Sequence, residues 1–179
     1  PEAERNGAPA FEHHAELPQL ELGDTTATVL VGELDGVLSS ARRFTDHLGV
    51  DLALRPGRTT VPLDPAFEHA LVVTDGSLTV GTTTLTPGRL GYLGLGRDEV
   101  PIDTTEPCRA LLIGGTPFEE PLLMWWNYVA RTRDEITAAH RDWLDAAARF
   151  GQADSALPRV VTGGPPWREI ADPSATTEQ

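Results

Sequence analysis

The side chains that could carry chemistry lie in the middle of the chain. Asp64, Glu68 and His69 are close together in the sequence, and Tyr92 follows further along. A carboxylate, an imidazole and a phenol can each hold or move a proton, so Glu68, His69 or Tyr92 could act as acid–base groups on a small substrate. The alternative interpretation, which we favour, places these residues in a polar loop at the mouth of a β-barrel.

Metal binding is the other chemistry that the residue types allow. His13 and His14 are adjacent, and neighbouring residues on a strand point to opposite faces, so the two rings would not converge on one ion without special geometry. Cys108 is the single cysteine of the chain, which excludes an intrachain disulfide framework. Its neighbours indicate a strand, and we interpret Cys108 as a small core residue.

Short strands must position these side chains. Between Leu20 and Ile113, apolar segments alternate with turn residues, and no helical pattern interrupts them. The predicted strands are Ala27–Leu34, Val50–Leu54, Ala70–Thr74, Ser77–Val80, Thr83–Thr86, Leu90–Leu93, Val100–Ile102 and Arg109–Ile113. Evenly spaced short strands of this kind are typical of an all-β sandwich or a closed barrel.

Three turns connect the central strands. Asp75-Gly76 predicts a hairpin, because glycine adopts the positive φ that a tight turn needs. Gly81-Thr82 predicts the next turn, and Pro87-Gly88 the one after it.

The sequence changes to a helical period at Thr132–Phe150. Thr132 and Glu135 match a capping box, in which each side chain satisfies a free N–H of the first turn. An apolar stripe then follows one helical face. It consists of Ile136, Ala139, His140, Trp143, Leu144, Ala147 and Phe150. Gly151 is a natural C-terminal stop, and residues 152–179 predict an extended, partly disordered tail.

The overall charge restricts the partners. The formal net charge is −13 and the pI about 4.6. Direct binding to a nucleic acid is not expected, because such binding depends mainly on basic side chains that contact phosphates. No apolar run approaches the ~20 residues that span a membrane. We therefore expect a cytoplasmic protein that contacts neither nucleic acid nor membrane.

The strand region can be compared with the two sequence motifs of cupin barrels. In the first motif, two glycines enclose a His-x-His pair and a later glutamate. Gly57 and Gly76 match the two ends, which places Leu63, Pro65 and His69 at the ligand positions. Leucine and proline cannot coordinate a metal through their side chains. If the motif is shifted by one residue, Pro62, Asp64 and Glu68 fall at the ligand positions. This set of residues is little better suited to hold a metal.

The second motif ends in a further histidine ligand. Gly81 and Pro87 match its turn residues, Arg89 replaces its second glycine, and Tyr92 stands at the histidine position. One histidine and one tyrosine fall short of the three or four converging donors that a metal site requires. We therefore expect a barrel without metal or another cofactor, and we assign no catalytic residue to this chain.

A series of local patterns resembles the C-terminal half of the pirin family. The patterns, in chain order, are Val31-Gly32-Glu33 with Gly36, Leu54-Arg55-Pro56-Gly57, Val73-Thr74-Asp75-Gly76, Leu112–Phe118, Glu120-Pro121, Met124–Val129, Thr132, Asp134-Glu135-Ile136 and Arg149-Phe150-Gly151. The match covers about residues 10–151. The resemblance implies a cupin-type double-stranded β-helix, or jelly-roll barrel, followed by one C-terminal α-helix and an irregular tail.

The resemblance also implies that two cupin barrels differ in metal binding. Pirins carry two cupin barrels on one chain: the N-terminal barrel binds iron, and the C-terminal barrel generally lacks metal. Iron or another divalent metal is therefore expected only in an N-terminal cupin whose ligand motif does not occur here. We expect residues 1–10 to be the linker from that missing half, residues 11–131 the C-terminal cupin barrel, residues 132–151 the helix and residues 152–179 the tail.

Quercetin dioxygenase activity and transcriptional co-regulation have both been attributed to pirins. We expect this chain to be the structural and interaction half of a metal-dependent, quercetin dioxygenase-like bicupin, without activity of its own. The alternatives are a regulatory module that binds a protein partner as a transcriptional co-regulator, and a cupin that acts by itself on a flavonoid-like or acidic small molecule.

Four aromatic residues predict the interaction surface of the chain. They are Trp125, Trp126, Tyr128 and Trp143. Large apolar patches seldom stay solvated, so we expect this surface to contact the missing N-terminal half, a second copy of the chain in a dimer, or another protein.

Overall fold

The computed structural model describes Glu4 and residues 7–167 of the chain. This part forms two compact units. The first unit is Phe11–Pro117, and the second combines the residues up to Ala10 with those from Phe118 onward. No helix in the described part of the chain is long and apolar enough to cross a membrane.

Two antiparallel sheets make up most of the first unit. Strands β1 to β12 are Gln19–Leu22, Thr25–Val31, Glu33–Leu34, Val37–Leu38, His47–Leu54, Gly57–Pro62, Glu68–Asp75, Leu78–Val80, Thr83–Leu85, Leu90–Gly94, Glu99–Thr104 and Cys108–Gly115. The larger sheet has the order β1-β2-β5-β12-β7-β10, and the smaller sheet has the order β6-β11-β8-β9. Strands β3 and β4 form a separate short ribbon.

The hydrophobic core lies between these two sheets. Successive side chains of a strand point to opposite faces, so every second residue can turn inward. Leu71 and Val73 of β7 are buried in this way, as are Val100 and Ile102 of β11 in the other sheet. The architecture is a two-layer β-structure, which confirms the predicted all-β class.

The prediction of a hairpin at Asp75-Gly76 is wrong, because β7 and β8 belong to different sheets. Gly76 has the expected positive φ, +70°, but it lies against the backbone of the segment before β12. A Cβ at Gly76 would lie 2.5 Å from the carbonyl oxygen of Pro107. The turn therefore leads the chain from one sheet into the other.

The two later turns agree with the prediction. Strands β8 and β9 pair directly on either side of Gly81-Thr82, which confirms that hairpin. At Pro87-Gly88, the Arg89 N–H donates to the Thr86 carbonyl over 3.0 Å, which closes a four-residue turn. This turn again joins strands of different sheets, β9 and β10.

Some strands differ from the sequence prediction. The predicted segment Ala27–Leu34 is divided into β2 and β3 at Gly32, where φ is +82°. Strands β1, β4 and β6 of the first unit lie outside the predicted strands. In β6 the inward residues are Thr59 and Val61, and one apolar side chain in such a short segment gives too weak an alternation to identify a strand.

The second unit contains a hairpin and one helix. Strands β13 (Leu123–Trp125) and β14 (Tyr128–Ala130) pair as a hairpin, and helix α1 (Arg133–Leu144) follows. The structure confirms the predicted capping box of this helix. The predicted barrel extends to residue 131, but this hairpin packs on the helix, as the shared cluster of Tyr128 and Ile136 shows.

Helix α1 is shorter than predicted, because it ends at Leu144 and not at Phe150. Ala146 adopts a left-handed conformation with φ +56°, which stops the helix. The Ala146 N–H donates to the Trp143 carbonyl, and the Ala147 N–H donates to the Asp142 carbonyl over 2.8 Å. This is the Schellman pattern, with alanine where glycine is usual. A separate turn of 3₁₀-helix follows at Ala148–Phe150.

The predicted tail is irregular but attached to the helix. The Trp143 indole N–H donates to the Val160 carbonyl over 2.8 Å, and the Trp167 indole N–H donates to the Thr137 hydroxyl over 3.0 Å. Residues 152–167 therefore fold back along α1. The rest of the predicted tail, residues 168–179, lies outside the described residues.

Candidate functional site

Among the four predicted barrel residues, His69 is the one that points into the core. It lies on β7 on the same face as Leu71 and Val73, and its side chain is 1% exposed. Neither ring nitrogen has a hydrogen-bond partner in the described part of the chain. A neutral imidazole carries one donor and one acceptor, so both are left unsatisfied in the core.

The main chain makes room for the His69 ring at one point. Gly114 of β12 pairs directly with His69, and a Cβ at Gly114 would lie 2.5 Å from the Cδ2 atom of the ring. Phe67 covers another side, with ring centroids 6.0 Å apart. The position of the ring is therefore determined by a glycine on one strand and an aromatic side chain just before its own strand.

Burial lowers the pKa of His69 below its ordinary value of 6.5, because the charged ring would lose its hydration. The nearby Phe67 backbone and the carboxylate of Asp64 act in the opposite direction, but desolvation is the larger effect. The Phe67 backbone does not meet the geometry of a hydrogen bond to the ring. At neutral pH the ring is therefore uncharged.

An open cavity of about 460 Å³ lies at the same end of the first unit. Leu48, Leu63 and Phe67 form apolar parts of its wall, and Asp64 adds a carboxylate. Leu48 lies level with His69, since both residues pair with Gly114. Phe67 both lines the cavity and contacts the His69 ring, whereas His69 itself is not among the described residues that line the cavity.

Most of the remaining cavity wall consists of residues that no sequence pattern assigned to a site. It comes from the β3–β4 ribbon and from the segment before β5. Its members are Glu33, Leu34, Asp35, Gly36, Arg43 and Asp46. These residues are remote in sequence from His69, and no spacing rule connects them to it. Asp35-Gly36, a dipeptide typical of tight turns, is a local signal that the chain reverses there.

Glu68 and Tyr92 lie on the other face of the larger sheet. Glu68 precedes His69 on β7 and therefore points outward, and Tyr92 pairs with Ala70 on the neighbouring strand. The Tyr92 hydroxyl donates a hydrogen bond to the Glu68 carboxylate, and this bond raises the pKa of Tyr92. The structure thus separates the four predicted residues into a hydrogen-bonded pair on the outer face, a cavity-wall residue and a buried histidine.

The donors at the predicted ligand positions do not fit a metal. Leu63 is apolar and buried, Pro65 is exposed, and Tyr92 points away from His69. In residues 7–167 and at Glu4, no group of three or more His, Cys, Asp or Glu side chains is placed to hold a metal ion. A single imidazole cannot replace the three or four donors that such a site requires.

The predicted aromatic surface is a packed cluster in the second unit. Tyr128 is buried, and its ring centroid lies 6.0 Å from that of Trp125 and 5.2 Å from that of Trp126. Trp126 also contacts Trp143 at 5.7 Å. The three tryptophans are half-buried, so only their outer edges are available to a partner. Their role as an interaction surface stays a prediction.

Residues 49–151 match the family model of the Pirin C-terminal cupin domain. The chain belongs to the pirin family. This match gives the two-sheet architecture its name, a cupin fold, and it confirms the resemblance that the local patterns indicated. Membership in this family also accounts for the glycines that match the turns of the cupin motifs, although other residues occupy the metal-ligand positions of those motifs.

Two relatives extend the match beyond residues 49–151. A Pseudomonas aeruginosa protein that is provisionally named a quercetin 2,3-dioxygenase is 38% identical over 174 residues, which cover 96% of this chain and 55% of the relative. A pirin-like protein of Caulobacter vibrioides is 30% identical over 149 residues, covering 82% of this chain and 51% of the relative. The chain therefore spans about half the length of the curated relatives it matches.

A solved structure supports the fold over almost the whole chain. The crystal structure of a quercetin 2,3-dioxygenase from Acinetobacter baumannii matches with a TM-score of 0.84 and 37% sequence identity. The match covers 94% of this chain and 57% of that chain.

Proposed function

We propose that this cupin domain is the non-metal-binding half of a pirin-like bicupin, with a structural and interaction role beside a metal-binding cupin. The observation that carries the proposal is the state of the ligand positions, where Leu63 is apolar and buried and Tyr92 lies on the outer face. A quercetin dioxygenase-like reaction of the whole protein would then depend on a metal in the other cupin. The expected partner is that cupin or a second copy of this chain, and the expected location is the cytoplasm.

Metal analysis of the purified chain tests the first part of the proposal. The chain is incubated in turn with Fe²⁺, Ni²⁺, Cu²⁺ and Mn²⁺, freed of unbound metal, and measured by plasma mass spectrometry. We expect far less than one metal ion per chain, and no difference between the wild type and His69→Gln. Retention of one ion per chain that is lost in His69→Gln would overturn the proposal.

Binding between the two halves tests the second part. The chain is mixed with a separately produced N-terminal cupin from a pirin, and the complex is measured by analytical ultracentrifugation. We expect a stable complex that Trp126→Ala weakens, because its half-buried ring offers an edge to a partner. Met124→Ala, which shortens an exposed side chain on the same hairpin, serves as the control. The absence of any complex would contradict the interaction role.

A second candidate function is a small-molecule-binding cupin with its own acid–base chemistry. The specific observation in its favour is His69, a neutral and unpartnered imidazole behind the wall of the 460 Å³ cavity. Quercetin consumption by the chain in the presence of a strong chelator tests this function. Turnover that disappears in His69→Leu would favour it over the structural role, and the absence of turnover would exclude it for this substrate.

A further inference from the structure

An open cavity of about 810 Å³ lies in the second unit, at the C-terminal end of α1. We call it the aromatic cavity. Its ring-bearing walls are Trp126, Trp143 and Phe150, and Arg159 of the folded-back tail adds a cation at the helix end. A volume of this size is within the range of pockets that hold small organic ligands, about 300–1,000 Å³. The cavity shares Trp126 and Trp143 with the aromatic cluster and no residue with the 460 Å³ cavity of the first unit.

The helix terminus creates the space. The residues of the Schellman turn, Ala146 and Ala147, carry only methyl side chains and line the cavity. The helix stops there because Ala146 takes a left-handed conformation, and the chain then leads away into the 3₁₀ turn. A continued helix to Phe150, as the sequence pattern predicted, would not have left this opening.

Arg159 is held in a defined position. One of its guanidinium nitrogens donates to the Leu144 carbonyl over 3.1 Å, and the guanidinium carbon lies 5.0 Å from the centre of a Trp143 ring. The next residue, Val160, accepts the hydrogen bond of the Trp143 indole. The tail is thus hydrogen-bonded to the helix at Arg159 and at Val160, and the remaining guanidinium N–H groups of Arg159 are available to a ligand.

The charge of the wall is opposite to that of the chain. The chain has a net charge of −13, yet Arg159 is the one charged side chain among the described residues that line the aromatic cavity. Asn127, Gln152 and Ser155 add neutral polar groups to the wall. A fixed cation between aromatic rings recognises an anion with a flat apolar body, through a charge-assisted hydrogen bond and ring stacking.

A buried tyrosine packs against two of the wall rings. Tyr128 packs against Trp126 and Phe150, and its hydroxyl is buried without a hydrogen-bond partner in the described part of the chain. Burial raises the pKa of Tyr128, and the charge of Arg159 acts in the opposite direction. Tyr128 is not itself a wall residue, but its ring supports the Trp126 and Phe150 rings that form part of the wall.

We propose that the aromatic cavity binds a planar aromatic carboxylate of about two fused rings, with its rings against Trp126 and Trp143 and its carboxylate on Arg159. The positive charge of Arg159 favours an anionic ligand, and the indole rings of Trp126 and Trp143 favour a flat ring system. This inference rests on the second unit alone, so it stands or fails independently of the metal-free role proposed for the strand unit.

Isothermal titration of the whole chain with 2-naphthoate tests the proposal, and the neutral isostere 2-naphthamide measures the contribution of the charge. We expect 2-naphthoate to bind about ten- to hundred-fold more tightly than 2-naphthamide, the range for a hydrogen bond to a charged group. Arg159→Gln should remove this preference. Arg149→Gln is the matched control, because Arg149 also lies beside Phe150 but is paired with Asp142 and does not line the cavity.

A second variant separates loss of binding from loss of folding. Ala153→Trp places a bulky ring in the cavity wall and leaves Arg159 and the indoles unchanged. It should abolish 2-naphthoate binding, while far-UV circular dichroism and the thermal midpoint stay close to the wild type. Equal affinity for 2-naphthoate and 2-naphthamide would overturn the proposal, as would undetectable 2-naphthoate binding or full binding by both Arg159→Gln and Ala153→Trp.

Discussion

Replacing His69 with leucine should stabilise the first unit, and the gain should be larger in acid. The His69 side chain is 1% exposed, and both ring nitrogens lack a partner among the described residues. An unsatisfied buried polar group costs about 1–3 kcal/mol. Leucine has a similar volume and no polar atom, so His69→Leu should raise the free energy of unfolding by about 1–3 kcal/mol at neutral pH.

The acid effect follows from the lowered pKa of His69. Because that pKa is below 6.5 in the folded chain, the unfolded chain binds more protons than the folded chain when the pH falls below about 6.5. The wild type therefore loses stability from about pH 6.5 downward until the folded-state pKa is reached. The slope from this one group is at most about 1.4 kcal/mol per pH unit. His69→Leu should lack this part of the acid sensitivity.

Urea unfolding between about pH 5 and pH 8, followed by far-UV circular dichroism, measures both effects. Tryptophan fluorescence is not the appropriate signal, since all four tryptophans lie in the second unit. Leu71→Val on the same strand serves as the control. It should lower stability by a similar amount at every pH, since it removes a methylene and changes no titrating group.

Two results would refute this reasoning. A loss of stability in His69→Leu at neutral pH would mean that the imidazole is hydrogen-bonded or bound to a metal in solution. An unchanged slope below pH 6.5 would mean that another group carries the acid sensitivity.

Three further predictions concern single positions in the backbone framework. Gly114→Ala should destabilise the first unit by about 1–3 kcal/mol in urea unfolding, because the added Cβ would lie 2.5 Å from the His69 ring. The control Gly163→Ala should be nearly neutral, because a Cβ at Gly163 would have no atom within 4 Å. Ala146→Gly should stabilise the second unit. The left-handed conformation costs an alanine ~1–2 kcal/mol, which exceeds the ~0.4–1 kcal/mol by which glycine favours the unfolded chain. A lower unfolding midpoint, measured by tryptophan fluorescence, would contradict this prediction. Thr132→Ala should cost the second unit about 1 kcal/mol by the same fluorescence measurement, because it removes the N-cap acceptor, and Thr132→Ser should restore most of the loss.

The features that the sequence predicted well depend on local rules. The capping box at Thr132 follows from residues three positions apart, and the hairpin at Gly81-Thr82 joins strands that are neighbours in both sequence and space. The family could also be identified, because its signature is a series of short patterns in a fixed order. Each of these features needs only a few adjacent residues to be interpreted.

The candidate sites depended on tertiary structure. Glu68 and His69 are adjacent in sequence, but the pleat of β7 sends one to the surface and the other into the core. Asp75-Gly76 has the composition of a hairpin, and only the pairing of β7 with β10 and β12 shows that the chain crosses to the other sheet there. Sequence spacing could decide neither the direction of these side chains nor the path of the chain at Asp75-Gly76. Both depend on which strands, distant in sequence, pair with β7.

The sequence by itself determined the all-β class, the pirin family and the start of the helix, since periodicity, turn residues and caps act over a few residues. Only the tertiary structure decided that His69 has no partner among the described residues, that its ring fits against Gly114, and that the helix ends at Leu144, whose carbonyl accepts from Arg159. The physical reason is that desolvation and close packing depend on what surrounds a side chain. Those surroundings come from segments far apart in the sequence.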